Sequence, residues 1–127
     1  MENKYIINNK ERRKFLRIEV AVNVVYSVIG NEQLSGEAVT KNISEGGICL
    51  VVHNKIDLNS LLSLKIHLPD GKEPIQVTGK VVWKAEYTFI IIQESRYDLG
   101  IQFLDISETD RNRIANYVVS YVNNYLS

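Results

Sequence analysis

Residues 18–28, Ile18-Glu19-Val20-Ala21-Val22-Asn23-Val24-Val25-Tyr26-Ser27-Val28, decide the fold class. Ile18, Val20, Val22, Val24, Tyr26 and Val28 take every second position, with Glu19, Ala21, Asn23, Val25 and Ser27 between them. A period of two puts the first set on one face of an extended chain, so the stretch reads as a strand buried on one side. Gly30-Asn31-Glu32 then turns the chain. Leu34 to Ile43 reads as a second strand and Gly47 to His53 as a third, with Asn42-Ile43-Ser44-Glu45-Gly46-Gly47 as the turn between them. Leu61 to Leu68 alternates again, with Leu62, Leu64, Ile66 and Leu68 on one face, and Pro69-Asp70-Gly71-Lys72 is a hairpin signal. Ile75 to Ala85, Tyr87 to Gln93 and Asp98 to Leu104 follow as strands. Strands this dense, joined by short polar connections, predict an antiparallel barrel or sandwich.

The last segment has a different period. Ile114, Tyr117, Val118, Tyr121, Val122 and Tyr125 recur at helical spacing and form one stripe, with Arg111, Arg113, Asn116, Ser120 and Asn123 on the other faces. Ser107, with Asp110 three residues later, is an N-cap followed by an acidic first turn. The stripe is either a partner surface or the face that docks on the strands, and docking is the commoner fate of an amphipathic helix.

The 127 residues amount to one domain, and 45% hydrophobic with 24% charged residues excludes a mainly disordered chain. No apolar run approaches the roughly 20 residues of a membrane helix. The N-terminal MENKYIINNKERRK has no apolar stretch behind its positive charges and does not resemble a secretory signal, so a cytoplasmic location is expected. One cysteine, Cys49, allows no internal disulfide, and His53 and His67 beside it make no spaced metal-ligand set. No nucleophile elbow, phosphate loop or dinucleotide fingerprint appears, so the chain is not expected to be an enzyme, and neither a cofactor nor a metal is called for. Cys49 reads as a small buried hydrophobe, His67 as an exposed strand residue, and Trp83 as barrel core or rim rather than a stacking platform for a base.

Formal charge is zero overall but unevenly placed. Lys4, Lys10, Arg12, Arg13, Lys14 and Arg17 against Glu2 and Glu11 give residues 1–17 a net of +4, leaving −4 on residues 18–127. A basic arm on a mildly acidic body is either simply solvated or poised for a small anionic ligand where arm meets body. Two motifs bear on that choice. Arg13-Lys14-Phe15-Leu16-Arg17 is an Arg-x-x-x-Arg with Arg12 before it, and Asn42-Ile43-Ser44-Glu45-Gly46-Gly47 is an Asn-x-Ser-x-x-Gly. Arginine offers a planar fork of donors to phosphate or to the O6/N7 edge of guanine, and it stacks on flat rings. Asn donates and accepts, Ser adds a hydroxyl, and glycine lets backbone come close to a ligand. The alternative is that Asn42 and Ser44 only bond local backbone, and that Gly46 and Gly47 serve a positive φ or a bulge.

These segments resemble the PilZ domain family, bacterial receptors for cyclic diguanylate (c-di-GMP). Glu11 to Arg17 is similar to the family's Arg-x-x-x-Arg arm, and Asn42-x-Ser44-x-x-Gly47 to its (Asp/Asn)-x-Ser-x-x-Gly turn. Val77-Thr78-Gly79-Lys80-Val81-Val82-Trp83 and Leu99-Gly100-Ile101-Gln102-Phe103-Leu104 look like its core strands, in order. The resemblance implies an all-β fold, a six-stranded antiparallel barrel with a C-terminal α-helix. It divides the chain into a flexible N-terminal arm over residues 1–10 and a PilZ domain over residues 11–127. By the same resemblance Arg13 and Arg17 grip phosphates and guanines, Asn42 and Ser44 contact a guanine edge or hold the arm, and Gly46 and Gly47 give the ligand room. Arg12 resembles positions that in some members help bind a stacked ligand dimer. Asn42 stands where many members have Asp, which removes one acceptor charge. A protein of this kind orders its arm on the ligand and signals to a partner protein in motility, exopolysaccharide or secretion machinery. Neither DNA, RNA nor membrane insertion is expected. The alternatives are an adaptor of the same fold that binds no ligand and a small nucleic-acid-binding barrel, the latter disfavoured by the acidic body.

Overall fold

Alternation controls the architecture. The computed structural model describes residues 15–126, so the expected arm over residues 1–10, and Arg12 and Arg13, lie outside the described residues. Its strands are β1 (Arg17–Ile18), β2 (Asn23–Val28), β3 (Asn31–Ser44), β4 (Gly47–Val52), β5 (Leu61–His67), β6 (Ile75–Phe89) and β7 (Glu94–Asp105), followed by the helix α1 (Glu108–Leu126). Every pairing is antiparallel, in the order β3-β2-β5-β6-β7-β4, and β4 returns to β3 to close a six-stranded barrel. The two-residue β1 lies against the end of β3 outside that ring. The alternating apolar positions fill the interior: Ile18, Val24, Leu50, Leu62, Leu64, Ile66, Ile75, Val81 and Leu99 are all buried. Closure leaves no edge on most of the sheet, which removes the main aggregation hazard of strands.

The structure lengthens β3 back to Asn31, inside the expected turn, and β7 back to Glu94, and it corrects three further readings. The strand expected from Ile18 to Val28 is interrupted between Ile18 and Asn23. Thr40 spans the gap: its hydroxyl accepts from the Val22 N–H at 2.9 Å and donates to the Val20 carbonyl at 2.6 Å, while its own N–H donates to the Val22 carbonyl. This pays in hydrogen bonds for a buried polar side chain. The strands expected at Ile75 to Ala85 and Tyr87 to Gln93 are one strand, β6, and the β-branched run Ile90-Ile91-Ile92 is the turn that follows it, closed by Gln93 at φ 50°. Asn42, Ile43 and Ser44, expected in a turn, belong to β3, and the hairpin turns on Glu45 and Gly46 alone.

The helix starts where its cap predicts. The Asp110 N–H donates to the Ser107 hydroxyl at 3.1 Å, and the Arg111 N–H to the Ser107 carbonyl. Ile114 and Val118 are buried against the barrel, with Tyr117, Tyr121 and Val122 half-buried around them, so the stripe is chiefly a docking face. Arg113 adds a two-pronged ion pair to Asp70 in the β5–β6 turn, at 3.0–3.2 Å. Burial opposes ionisation of Asp70, but the Lys72 N–H and the Arg113 guanidinium outweigh it and hold its pKa below the ordinary carboxylate value.

Two outcomes follow. Leu64→Ala empties a fully buried site beside Gly79 and should cost about 2–5 kcal/mol in urea unfolding. Because Asp70 is depressed in the folded state, its stabilisation is present above the unfolded value near about pH 4 and disappears as pH falls through the folded value. The stability difference between wild type and Asp70→Asn, about 1 kcal/mol near neutrality, should therefore close on acidification; a constant gap across that range would contradict the pair's role.

Candidate functional site

On the outer face of the barrel, where β3, β4, β7 and β6 run side by side, two rows of side chains cross the strands. The first is Asn42, Cys49, Gly100 and Trp83, each opposite the next. The second, two residues along, is Arg17, Ser44, Gly47, Gln102 and Lys80. Between them lies an open cleft of about 460 Å³ lined also by Phe15, Gly46, Ile48, Val82 and Ile101. Its floor carries almost no side chains, being built on Gly47, Cys49 and Gly100. Arg17, Asn42 and Ser44 form one wall, and Val82 and Trp83 the other.

Two β-bulges create this arrangement. Thr40 opposes the buried Leu50, whereas Asn42 opposes Cys49, so Lys41 is an extra residue in β3. Without it Asn42 would share the inward face of Thr40. In β6, Val81 opposes Ile101 and Trp83 opposes Gly100, with Val82 the extra residue. That turns Trp83 outward and leaves it 44% exposed, at the barrel's rim and not in its core.

The glycines of the motif are needed for space. Neither Gly46 nor Gly47 has a positive φ. A Cβ on Gly47 would collide with the Ile101 carbonyl, and one on Gly46 would lie 2.9 Å from the Phe15 ring. Phe15 is thereby seated against the turn, with the Arg111 guanidinium of α1 5.7 Å from its ring centroid. This seat fixes where the chain enters β1 and so where Arg17 stands. A Cβ on Gly100 would collide with the indole of Trp83, which lies directly over that backbone.

Ser44 has the local role expected of a turn residue. Its hydroxyl accepts from the Gly46 N–H at 3.2 Å and contacts the Gly47 carbonyl at 3.4 Å. The Asn42 amide has no hydrogen-bond partner among the described residues, and it faces the cleft. Of the seven residues that sequence motifs single out, the structure thus brings together Arg17, Asn42, Ser44, Gly46 and Gly47, while Arg12 and Arg13 lie outside the described residues. Trp83, Gly100 and Gln102 lie in segments that the sequence marks only as core strands; cross-strand register brings them to the site.

Beside the floor, one row along β7 from Gly100 on the same face, sits a charged pair. Lys41, the bulge residue, donates to Asp98 Oδ2 at 2.7 Å, and Asp98 is 2% exposed. Burial, and then the Asp98 carboxylate, push the Cys49 thiol up to about 11; Lys41 and Arg17 pull the other way and are outweighed. The thiol therefore stays protonated, and its sulfur is a small apolar surface. The described residues include no group of His, Cys, Asp and Glu able to hold a metal. No described helix is long and apolar enough to cross a membrane.

Comparison with known proteins gives a consistent result. A family model described as PilZ domain matches residues 11–120. No curated protein matches the sequence. Among solved structures, the c-di-GMP complex of MrkH from K. pneumonia superposes with a TM-score of 0.72 at 20% identity, covering 91% of this chain and 54% of that one. The inhibitor of motility MotI/DgrA from Bacillus subtilis gives 0.69 at 19% identity, covering 90% and 52%. The PilZ domain of YcgR from Escherichia coli with c-di-GMP gives 0.69 at 13%, covering 91% and 95%. This chain thus spans about half the length of MrkH and MotI and nearly all of the isolated YcgR domain. At these identities the likeness is one of fold.

A thiol at about 11 leaves on the order of one molecule in a thousand as thiolate at pH 8. Iodoacetamide should therefore modify native Cys49 at least ~100-fold more slowly than the same cysteine in urea. Equal rates would show that the floor of the cleft is not closed as described.

Proposed function

The chain belongs to the PilZ domain family, and from that premise we propose that it is a receptor for c-di-GMP, bound across the two rows of the outer cleft. The observation that supports this reading most is the opposition of Arg17 and Asn42 to Trp83 over a floor of Gly47, Cys49 and Gly100. The ligand has two phosphates and two flat guanines, and each part finds a chemical complement here. Arg17 presents a guanidinium to phosphate or to the O6/N7 edge of guanine. Asn42 carries both a donor and an acceptor at one wall. Trp83, packed over Gly100, offers its outer aromatic face for a base, and the small residues Gly47 and Cys49 beside it leave room for the ring to approach. Structures of YcgR, MrkH and the Borreliella burgdorferi protein PlzA that share this fold have c-di-GMP bound.

In this reading residues 11–127 are the ligand-binding domain, and Arg12 and Arg13, shortly before Phe15 in sequence, add to the site. Gly46 contributes by holding Phe15. Arm closure over the cleft changes the surface offered to a partner protein, in the cytoplasm where the messenger is found, and the chain acts by binding and not by catalysis. The ligand needs no cofactor or metal, since the guanidinium groups supply the positive charge. The nucleic-acid reading is the weaker one, because among the described residues Arg17 is the one cation lining the cleft, and the body after the arm is mildly acidic.

Isothermal titration with c-di-GMP should give saturable binding. Arg13→Ala and Arg17→Ala should each lose roughly 10- to 150-fold in affinity, the cost of about 1.5–3 kcal/mol for a charged hydrogen bond. Folded variants that bind as well as wild type would contradict the proposed site.

A further inference from the structure

Strand β6 is protected on its far side from β7 only over part of its length. β5 pairs with it from Ile75 to Lys80; the Asn59 N–H then donates to the Val81 carbonyl, and the Val81 N–H to the Ser60 carbonyl. Beyond Val81 the described residues supply no further backbone pairing to that edge, although β6 runs on to Phe89 with β7 along its other side. The open edge is Val82-Trp83-Lys84-Ala85-Glu86-Tyr87-Thr88-Phe89. It contains no proline, and beyond the bulge at Val82 it pairs with β7 in unbroken register from Trp83 to Phe89, so its open side is a template for another strand.

The hairpin tip beyond it is apolar to an unusual degree. Ile90, Ile91 and Ile92 are 84%, 97% and 62% exposed. Leu58, Leu61 and Val82, at the place where β5 stops covering β6, are also exposed. Contiguous exposed aliphatic side chains of this kind mark a surface that is covered by something.

The charge pattern of the edge identifies the occupant. We propose that the open edge of β6 pairs antiparallel with the same edge of a second copy of this chain, about a two-fold axis at Ala85. In that register Lys84 lies opposite Glu86 of the second copy, and Glu86 opposite its Lys84. Trp83 lies opposite Tyr87 of the second copy, and the small Ala85 faces itself on the axis. Shifting the axis to Lys84 sets ammonium against ammonium, and shifting it to Glu86 sets carboxylate against carboxylate. Only the Ala85 register satisfies both charges, and direct cross-strand charge pairs are strong enough to choose a register. An isologous interface requires this kind of self-complementarity.

Pairing stops where β5 begins to cover β6, so each isoleucine tip passes Val82 and extends over Leu58 and Leu61 of the other copy. An anionic lipid surface fits less well, because residues 86–96 carry Glu86 and Glu94 against Arg96 alone. The pairing also sets Tyr87 of the second copy beside Trp83, at the rim of the outer cleft.

Sedimentation equilibrium of the full chain without any nucleotide, from about 1 to 200 μM, tests this independently of the ligand reading. The wild type should form a dimer. Lys84→Glu and Glu86→Lys should each weaken it roughly tenfold or more. An equimolar mixture of the two variants should regain wild-type association, because every pair across the mixed interface is then of opposite sign. The double variant carrying both changes should regain it also. Lys84 Nζ also reaches the Ile56 carbonyl at 3.4 Å, so circular dichroism of each variant accompanies the measurement, and Glu86→Lys, which disturbs no described contact, stands as the second probe. A monomer throughout the range, or single variants that associate like wild type, or a mixture that does not regain association, would overturn the proposal.

Discussion

In β3 one residue more than the ladder needs, Lys41, stands between Thr40, which points into the barrel, and Asn42, which points out of it. Much of the structure depends on that insertion. Thr40, held inward, joins the interrupted run of β1 and β2 through its hydroxyl. Asn42, turned outward, reaches the same face as Ser44 and Arg17. Lys41 itself goes to the buried carboxylate of Asp98 on β7, tying the bulge to the strand on the other side of β4. A bulge is a local loss of ladder hydrogen bonding, and here the ion pair and the threonine bridge surround it.

The same device recurs across the cleft. The extra residue Val82 reverses Trp83 in β6 and brings the indole over Gly100. Two strands that are bent outward at bulges, with glycine-bearing strands between them, form a trough on an otherwise convex barrel. The steric facts at Gly47 and Gly100 make the trough shallow and unyielding: a methyl at either position meets a carbonyl or an indole. In the proposed receptor reading, walls that already oppose each other across this floor would hold the polar groups in place before a flat, anionic ligand arrives, which lowers the cost of binding it.

Where the ladder is regular, the sequence alone reads correctly. Leu62, Leu64, Ile66 and Leu68 are all buried, His67 is exposed, Cys49 is buried, and Ser107 caps the helix. Period-two reasoning fails at the bulges, because one inserted residue flips the side chains after it and nothing in composition marks the insertion. That is why Trp83 reads as core or rim from sequence, and why Asn42 reads as part of a turn. It fails again at Ile90-Ile91-Ile92, where β-branched residues signal strand and the chain instead reverses. The motif residues Arg17, Asn42, Ser44, Gly46 and Gly47 are visible as a pattern, but Gly100, Gln102 and Trp83 join them only through pairing between strands far apart in sequence.

Trp83 is the one tryptophan of the chain, and the account places it in the wall of the ligand cleft. Its fluorescence during titration with c-di-GMP is thus the most direct test of where the ligand binds. The account predicts a saturable change in emission that follows the calorimetric isotherm and disappears in Arg17→Ala at the same ligand concentration. Calorimetric binding with no change in Trp83 emission would put the ligand elsewhere on the barrel and contradict the account.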